Sequence, residues 1–267
     1  MTWFLPALAA ILGAIVGSFL NVVIHRYPRE ESIVFPPSKC PDCGTPIKPW
    51  DNVPVLGYLW LLGRCRACRA PISPRYPLIE LANALFYLAI FQRTGITWGF
   101  LPIAALVSMT ICLVYIDLEI QILPDVIDLP GVAIGLLIGA AHLGALYPEL
   151  MLSKTIFDSV IGAAAGAGVL LAIGLTYKLI RRIEGMGLGD VKMMAMLGAV
   201  VGWEPLLPLF VLASVAGAIV GIPVALRSAE RMQVAIPFGV FLGLAFLAVL
   251  FFGPTLWDLW LRLFIGG

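Results

Sequence analysis

Two aspartates, Asp117 and Asp190, stand beside strongly apolar segments and are the first candidates for chemistry in this chain. A carboxylate at the centre of a bilayer costs roughly 2.5–3.5 kcal/mol on insertion scales, so an acid in or beside a membrane span is treated first as functional. Two carboxylates that share a site do not both ionise easily, so one keeps its proton. The ionised one then deprotonates water while the other polarises a carbonyl. The pair therefore predicts an aspartyl protease.

Asp190 ends a segment in which every second residue is glycine, Gly185-Met-Gly-Leu-Gly-Asp190. Three glycines allow the backbone to bend and allow another chain to approach closely. We therefore predict that Gly185, Gly187 and Gly189 form a loop that supports Asp190. A phosphate-binding loop is the other use of such a segment, but no Lys-Ser/Thr follows in the required register.

A structural role is the alternative for both acids, as helix caps or as ion-pair partners of Lys192 or nearby arginines. For Asp190 alone this alternative is as strong as the functional one. It weakens when Asp117 and Asp190 are taken together. We predict structural roles for two further acids, Asp125 and Asp128, with Asp125 capping the helix that follows it.

Four cysteines form two CxxC pairs separated by 21 residues, Cys40-Pro-Asp-Cys43 and Cys65-Arg-Ala-Cys68. Gly44 directly after the first pair suits a tight knuckle turn. Four thiolates from two knuckles match a tetrahedral zinc site. A redox iron fits the same geometry, and disulfides are disfavoured in a reducing compartment. We predict structural zinc that folds a module with little apolar core.

The composition requires a membrane protein, because 61% of the 267 residues are hydrophobic and 12% are charged, with a mean hydropathy of +1.00. The predicted fold class is an all-α polytopic membrane protein with a small cytoplasmic four-cysteine insertion. The first apolar segment has no basic start or cleavage site, so we predict a retained span. The eight predicted spans lie near residues 3–24, 78–93, 97–116, 126–147, 156–179, 190–203, 205–226 and 234–253.

These spans predict three regions: a first transmembrane helix at 1–24, a cytoplasmic zinc module at 25–77, and a multi-helix membrane domain at 78–267. With alternating topology, one side holds 14 of the 17 basic residues. The other side holds Arg93, Lys154 and Arg262. The positive-inside rule then places both termini outside and both candidate acids at the cytoplasmic face. The net charge of +1 argues against nucleic-acid binding.

Several further motifs occur in one order along nearly the whole chain, and with them the sequence resembles the bacterial type IV prepilin peptidases. These are bifunctional leader peptidases and N-methyltransferases of the GxGD aspartyl protease group. The motifs are Gly17-Ser-Phe-Leu-Asn-Val22, the two CxxC pairs, Arg75-Tyr-Pro-Leu-Ile-Glu-Leu81, Ile116-Asp117 through Leu123-Pro124-Asp125, Gly185 to Asp190, and Ile236-Pro-Phe-Gly239.

The resemblance implies an inner-membrane enzyme that cuts the basic leader from prepilins or pseudopilins, substrates of type IV pili and type II secretion. Cleavage follows a glycine at the cytoplasmic face, and the new N-terminus is then methylated with S-adenosylmethionine. Asp117 and Asp190 match the catalytic aspartates of the family. The cysteine module goes with the methyltransferase half. Prepilins and membrane lipid are the expected partners, and the sequence does not indicate an oligomeric state.

The site of the methyl donor is less visible, since the chain has no GxGxxG-type nucleotide loop. Glu80 is a candidate for binding the ribose or the amine to be methylated, and an ion pair with Arg75 or Arg69 is its alternative. Gly63 and Asn21 are weaker candidates, and Asn21 is equally suited to a hydrogen bond between helices.

Two rival functions fit parts of the sequence. A presenilin-like GxGD protease would act on other single-span proteins, and a transporter would use paired acids along an ion path. A transporter of this kind is expected to show inverted repeats, and the chain has no evident internal repeat.

An extended Gly185–Gly189 segment would let a protease hold its substrate as an added strand. The fifth cysteine, Cys112, is predicted to be a buried apolar residue.

Overall fold

The computed structural model describes residues 3–183, 186–227 and 236–264, and most of these residues belong to α-helices. The long connection 27–55 carries the first cysteine knuckle. The described residues contain no β-strand, and each cysteine knuckle carries one isolated β-bridge. The helices are α1 Phe4–Arg26, α2 Leu56–Trp60, α3 Arg75–Thr94, α4 Phe100–Ile120, α5 Asp125–Ala140, α6 Leu143–Leu146, α7 Ile156–Arg181, α8 Leu188–Val201, α9 Leu206–Arg227 and α10 Phe238–Phe264.

Each of the eight predicted spans corresponds to one long helix, but the count of eight spans is not confirmed. Within the described ranges, five segments are long and apolar enough to cross a membrane. These lie in α1, α4, α7, α9 and α10. Helices α5 and α8 have only 16 and 14 residues, which is short for an untilted span. The all-helical membrane fold class is confirmed.

Two predicted boundaries differ from the structure in ways that matter. Helix α4 continues to Ile120, past the predicted end at 116, so Asp117 lies in its last helical turns rather than after the helix. The predicted span 126–147 ends early, at Ala140. His142 adopts a left-handed backbone with φ of 54°, which ends helical continuation before the short helix α6.

The chain divides into two compact units, Met1–Cys112 and Leu113–Gly267. The first contains α1 to α3, the cysteine module and most of α4. This division differs from the predicted regions, since α3 belongs with the module and with α1 rather than with the later helices. Both candidate acids belong to the second unit, and all four knuckle cysteines belong to the first.

In the first unit, α1 and α3 pack closely because α1 presents glycines to α3. A Cβ atom on Gly17 would lie 2.8 Å from the Cα of Glu80. The side-chain amide of Asn83 donates to the carbonyl of Gly13 over 2.7 Å. Small residues and interhelical hydrogen bonds of this kind drive helix association where lipid removes the hydrophobic driving force.

The second unit contains a similar contact among α5, α7 and α8. A Cβ on either Gly162 or Gly198 would collide with the carbonyl oxygen of the other glycine. The hydroxyl of Ser159 donates to the carbonyl of Gly135 over 3.2 Å, which joins α7 to α5. Since α8 begins at Leu188, this packing fixes the helix that carries Asp190.

Candidate active site and metal centre

Asp117 lies near the end of α4, and only 4% of its surface is exposed. Its Oδ2 atom accepts a hydrogen bond from the backbone N–H of Val240, at 3.1 Å. Val240 is in the first turn of α10, where backbone N–H groups have no partner within the helix. A helix N-terminus also favours negative charge, so α10 both orients and stabilises the carboxylate.

Asp190 lies in the first turn of α8 and is partly exposed. Gly187 precedes this helix in an extended conformation, with φ of −73° and ψ of 147°. Gly189 belongs to the helix, so the predicted extended loop is shorter than the sequence suggested. Gly185 is outside the described residues. The run Lys192-Met-Met-Ala-Met-Leu197 favours the helix and Asp190 suits the dipole of its first turn, whereas Gly189 is a poor helix former.

The side chain of Leu123 lies between Gly189, which precedes Asp190, and Gly239, which is close to Asp117. A Cβ on Gly189 would be 2.9 Å from Cβ of Leu123, and one on Gly239 would be 3.0 Å from its Cδ1. The same Cβ on Gly239 would be 2.9 Å from Oδ2 of Asp117. The two carboxyl groups are close enough to interact electrostatically. The structure thus brings Asp117 and Asp190 to one end of the second unit.

Lys192 pairs with Asp125 and not with either candidate acid among the described contacts. Its Nζ lies 2.6 and 2.7 Å from the two carboxylate oxygens of Asp125. The prediction that Asp125 caps α5 is wrong, because Pro124 is the cap residue and Asp125 is the first helical residue. Its acidic charge at a helix N-terminus is still favourable.

Asp128 is fully buried, and neither carboxyl oxygen has a hydrogen-bond partner among the described residues. It interacts electrostatically with Asp125, Lys192 and Asp190. The predicted structural role does not account for it, because a structural acid in a protein interior normally has donors.

Sequence reasoning missed Val240 and Gly239, which contact Asp117 most closely. Neither residue has a side chain with chemistry of its own, so no residue-type signal pointed to them. The nearest signal was Ile236-Pro-Phe-Gly239, which entered only as part of a resemblance. Proline followed by a glycine in a helical first turn is consistent with a backbone that must come close to another group.

The four knuckle sulfurs form one cluster, with all ligand atoms within 4.8 Å of one another. The Sγ atoms of Cys40 and Cys68 are 3.8 Å apart. Tetrahedral zinc with Zn–S bonds of about 2.3 Å requires sulfurs about 3.8 Å apart, so the cluster fits the ion. All five cysteines of the chain are free thiols here, and Cys112 is buried as predicted.

The two knuckles use the same turn. The N–H of Gly44 donates to the carbonyl of Cys40 at 2.9 Å, and the N–H of Arg69 donates to that of Cys65 at 3.0 Å. Both Gly44 and Arg69 have positive φ, of 70° and 63°. Arginine is unusual in this conformation, and its presence indicates that the second knuckle is held by its surroundings.

Ionisation of the cluster favours a bound cation. Hydrogen bonding with the Thr45 side chain lowers the pKa of the Cys43 thiol to about 6. The pKa of Cys68 is raised to about 12: a backbone hydrogen bond from Ala70 lowers it, but burial and the neighbouring sulfurs outweigh that effect. The neighbouring sulfurs thus lower the pKa of Cys43 and raise that of Cys68. A divalent metal would bind all four cysteines as thiolates.

A salt bridge braces the second knuckle. Nε and Nη2 of Arg66 lie 2.8 and 2.6 Å from the two carboxylate oxygens of Asp51. Hydrogen bonding with Arg66 lowers the pKa of Asp51 below its usual value. This fork geometry fixes orientation as well as charge, so it ties the knuckle to the preceding loop.

The three residues proposed for the methyl donor are engaged within the first unit. Oε2 of Glu80 accepts the backbone N–H of Val55 at 2.7 Å. The amide of Asn21 donates to the carbonyl of Tyr76 at 3.1 Å, which is the predicted interhelical bond. Gly63 packs on the ring of Tyr58. Among the described residues, Oδ1 of Asn21 is buried without a hydrogen-bond partner. The assignment of Glu80, Gly63 and Asn21 to the methyl donor therefore stays a prediction.

Two family models match this chain. The bacterial Peptidase A24 N-terminal domain matches residues 11–94, and the Type IV leader peptidase family matches residues 104–222. The junction between the matches lies close to the junction between the compact units at Cys112. No solved structure matches the chain significantly.

Curated relatives match over almost the full length. A prepilin leader peptidase/N-methyltransferase of Aeromonas hydrophila is 37% identical, over 96% of this chain and 93% of its own. Proteins of the same name from Burkholderia pseudomallei and Pseudomonas aeruginosa are 40% and 38% identical, each over 92% of this chain and over 85% and 90% of their own. With two family models in order and these near-complete matches, the chain belongs to the type IV leader peptidase family.

Proposed function

We propose that this chain cleaves the leader peptide of prepilins or pseudopilins and then methylates the new N-terminus. The observation that carries the proposal is the placement of Asp117 and Asp190 at one end of the second unit, with Leu123 between their neighbouring glycines. The relatives named prepilin leader peptidase/N-methyltransferase supply both activities. A presenilin-like protease or a transporter has no comparable support.

Cleavage follows the chemistry of paired carboxyls. The ionised carboxyl removes a proton from water, and the water oxygen bonds to the scissile carbonyl carbon. The protonated carboxyl gives its proton to the carbonyl oxygen, which forms a neutral tetrahedral intermediate. Return of a proton to the amide nitrogen then breaks the C–N bond and releases leader and mature pilin. The bond from Val240 holds Asp117 ready for this exchange.

The substrate must be extended where it is cut, because a helical peptide has its carbonyls in hydrogen bonds. Gly187 is exposed and extended directly before Asp190, so it is a short platform on which the substrate backbone can pair. Among the described residues, the nearest atoms to a Cβ at this glycine would be N of Gly189 at 3.8 Å and Oδ2 of Asp190 at 3.9 Å. The platform predicts that Gly187→Val loses cleavage while remaining as stable as wild type, whereas intact cleavage would contradict the platform.

The proposed orientation of the protein in the membrane follows from the distribution of its lysines and arginines. The basic residues concentrate on the side of the cysteine module and of the candidate acids, which the positive-inside rule assigns to the cytoplasm. A single-span substrate with a cytoplasmic leader then presents its cleavage bond at the height of Asp117 and Asp190. We place the protein in the bacterial inner membrane in this orientation.

The four-cysteine cluster is proposed to bind structural zinc, and the module is assigned to the methyl-transfer half. Zinc of this kind contributes directly to folding, since the ligands come from two knuckles of a loop with little core. The methyl donor is S-adenosylmethionine. Glu80, Gly63 and Asn21 remain the candidates for binding it, and Oδ1 of Asn21, which is buried without a partner among the described residues, supports this assignment.

The test is a mass measurement on a prepilin incubated with purified protein. Wild-type protein is expected to release the leader and, with S-adenosylmethionine, to add one methyl group to the mature chain. Asp117→Asn and Asp190→Asn are expected to lose cleavage by about 100- to 10,000-fold. Glu204→Gln is the control, because Glu204 is half exposed and pairs only loosely with Lys154, at 3.8 Å.

Full cleavage by either asparagine variant would contradict the pair of acids. Cleavage without the added methyl mass would support the proposed peptidase activity and contradict the proposed methyltransferase activity. A wild-type protein that leaves the prepilin intact but cuts another single-span protein would favour the presenilin-like alternative.

A further inference from the structure

The short helix α2 begins beside the helices that flank the cysteine module, not beyond their ends. The backbone N–H of Val55, just before α2, donates to Oε2 of Glu80 at 2.7 Å. Glu80 is buried, and its Cα lies against Gly17 of α1. A helix rises 1.5 Å per residue, so Glu80 lies about 7 Å along the helix axis from the first residue of α3. Gly17 lies about 13 Å along the axis from the last residue of α1.

This depth matters because α1 is long and apolar enough to cross a membrane. A carboxylate side chain spans only a few ångströms, so the Val55 amide stays alongside the last turns of α1. The start of α2 therefore lies at the level of the membrane boundary, although it is part of a module predicted to be entirely outside the membrane.

Between Leu56 and Leu62, every exposed side chain is large and apolar. Leu56 and Leu59 are 53% and 58% exposed, Trp60 is 48% exposed, and Leu62 is 84% exposed. Leu56, Leu59 and Trp60 share one face of α2 by their three- and four-residue spacing. The stretch from Val53 to Gly63 contains no charged residue. In water such a surface would be unfavourable, and monomeric proteins rarely show one without a partner.

The residues that flank this stretch identify the partner as lipid. Lys48 precedes it and Arg64 follows it, and the module as a whole has eight Lys and Arg against four Asp and Glu. Basic residues around a Trp-containing apolar segment are typical of helices that lie in the membrane interface. Anionic headgroups attract such basic residues, and acyl chains accept the apolar ones.

The backbone also presents these side chains outward. Val55 and Leu62 have positive φ, of 60° and 53°, at the two ends of the segment. A β-branched residue and a leucine rarely adopt this conformation, and glycine would be the ordinary choice. At Leu62 the left-handed turn ends the helix while leaving an almost fully exposed apolar side chain at its tip.

We propose that Leu56–Leu62 is an interfacial anchor that inserts into the lipid leaflet on the side of the cysteine module. The inserted face consists of Leu56, Leu59, Trp60 and Leu62. The anchor holds the metal module against the membrane surface. This inference does not depend on the proposed function, since lipid contact needs neither substrate nor activity.

The test uses the full chain in nanodiscs that contain anionic phospholipid, with a photoreactive amino acid at position 62 or, as the matched control, at position 67. Ala67 is exposed and lies in the second knuckle without being a ligand. Irradiation is expected to give adducts with the mass of a phospholipid at position 62 and none above background at position 67. Metal content measured on both proteins confirms that the module is folded.

Tryptophan quenching gives a second measurement without a new side chain. Phospholipids with brominated acyl chains are expected to quench more emission in wild-type protein than in Trp60→Phe. The absence of lipid adducts at position 62 in protein with its metal intact would overturn the anchor. Displacement of the lipid adducts by adducts with an added prepilin would also overturn it, because the surface would then be a substrate site.

Discussion

Val240 holds Asp117 through its backbone N–H, across 3.1 Å and between residues 123 positions apart in the chain. The bond places one candidate acid at the N-terminus of α10, where the helix dipole favours a carboxylate. The acid at the end of α4 and the first turn of α10 are therefore a single functional arrangement. Its geometry depends on how closely the α10 backbone approaches.

Gly239 controls that approach and gives the first prediction. A Cβ at this position would lie 2.9 Å from Oδ2 of Asp117 and 3.0 Å from Cδ1 of Leu123, so Gly239→Ala must displace one of them. Misplacing a reacting group by about 1 Å lowers rates by about 100-fold, and we expect a loss of this size in the rate of prepilin cleavage.

Gly217→Ala is the control, because a Cβ there would make only ordinary contact, 3.5 Å from the Phe241 ring. It is expected to cleave at the wild-type rate. If Gly239→Ala also cleaves normally while remaining as stable as wild type, the close approach of α10 does not matter for the reaction.

The sequence predicted the acids and the cysteines because both carry side chains with chemistry and spacing of their own. Asp117 and Asp190 were placed together by topology alone, and the CxxC spacing predicted one four-sulfur cluster. These predictions needed only residue types and the direction of each span.

The surroundings of these residues were not predictable in the same way. Val240 contributes a backbone amide, which any residue offers. The pairing of Lys192 with Asp125 depends on which faces of α5 and α8 meet, and the sequence pattern of two short apolar helices does not fix this. The exposed face of α2 was hidden for a related reason: a stretch of five helical residues is too short for periodicity to reveal it.

The contact between α7 and α8 gives a prediction on stability. A Cβ on Gly162 would collide with the carbonyl oxygen of Gly198, so Gly162→Ala must separate the two helices. Overpacking of this kind costs about 1–3 kcal/mol, and we expect a lower thermal unfolding temperature in detergent. Gly168→Ala, on the same helix, would place its Cβ more than 4 Å from any other atom of the described residues, and it is expected to be at least as stable as wild type. Equal destabilisation by both substitutions would contradict the role of this contact, because alanine is the better helix former and stabilises a helix wherever there is room for it.

The ion pair of Lys192 and Asp125 lies beside the candidate acids but is largely exposed, with side-chain exposures of 39% and 55%. Exposed pairs contribute little, because solvent and salt screen them. A double-mutant cycle with Lys192→Met and Asp125→Asn is expected to give a coupling energy in stability below about 1 kcal/mol, decreasing with added salt. A larger, salt-independent coupling would mean that the pair is desolvated in the membrane.

Removal of the metal is expected to separate the two activities. The knuckle cysteines belong to the unit Met1–Cys112 and the candidate acids to the unit Leu113–Gly267, each with its own core. Cys68→Ser is expected to lose the metal and methylation, since three thiolates hold zinc more weakly than four, while cleavage continues.

Cys112→Ala removes a buried cysteine that is not a ligand, and it should retain metal and both activities. Zinc per protein, measured by mass spectrometry alongside leader release and methyl mass, compares both variants with wild type. Loss of cleavage together with the metal would mean that the module also supports the peptidase site.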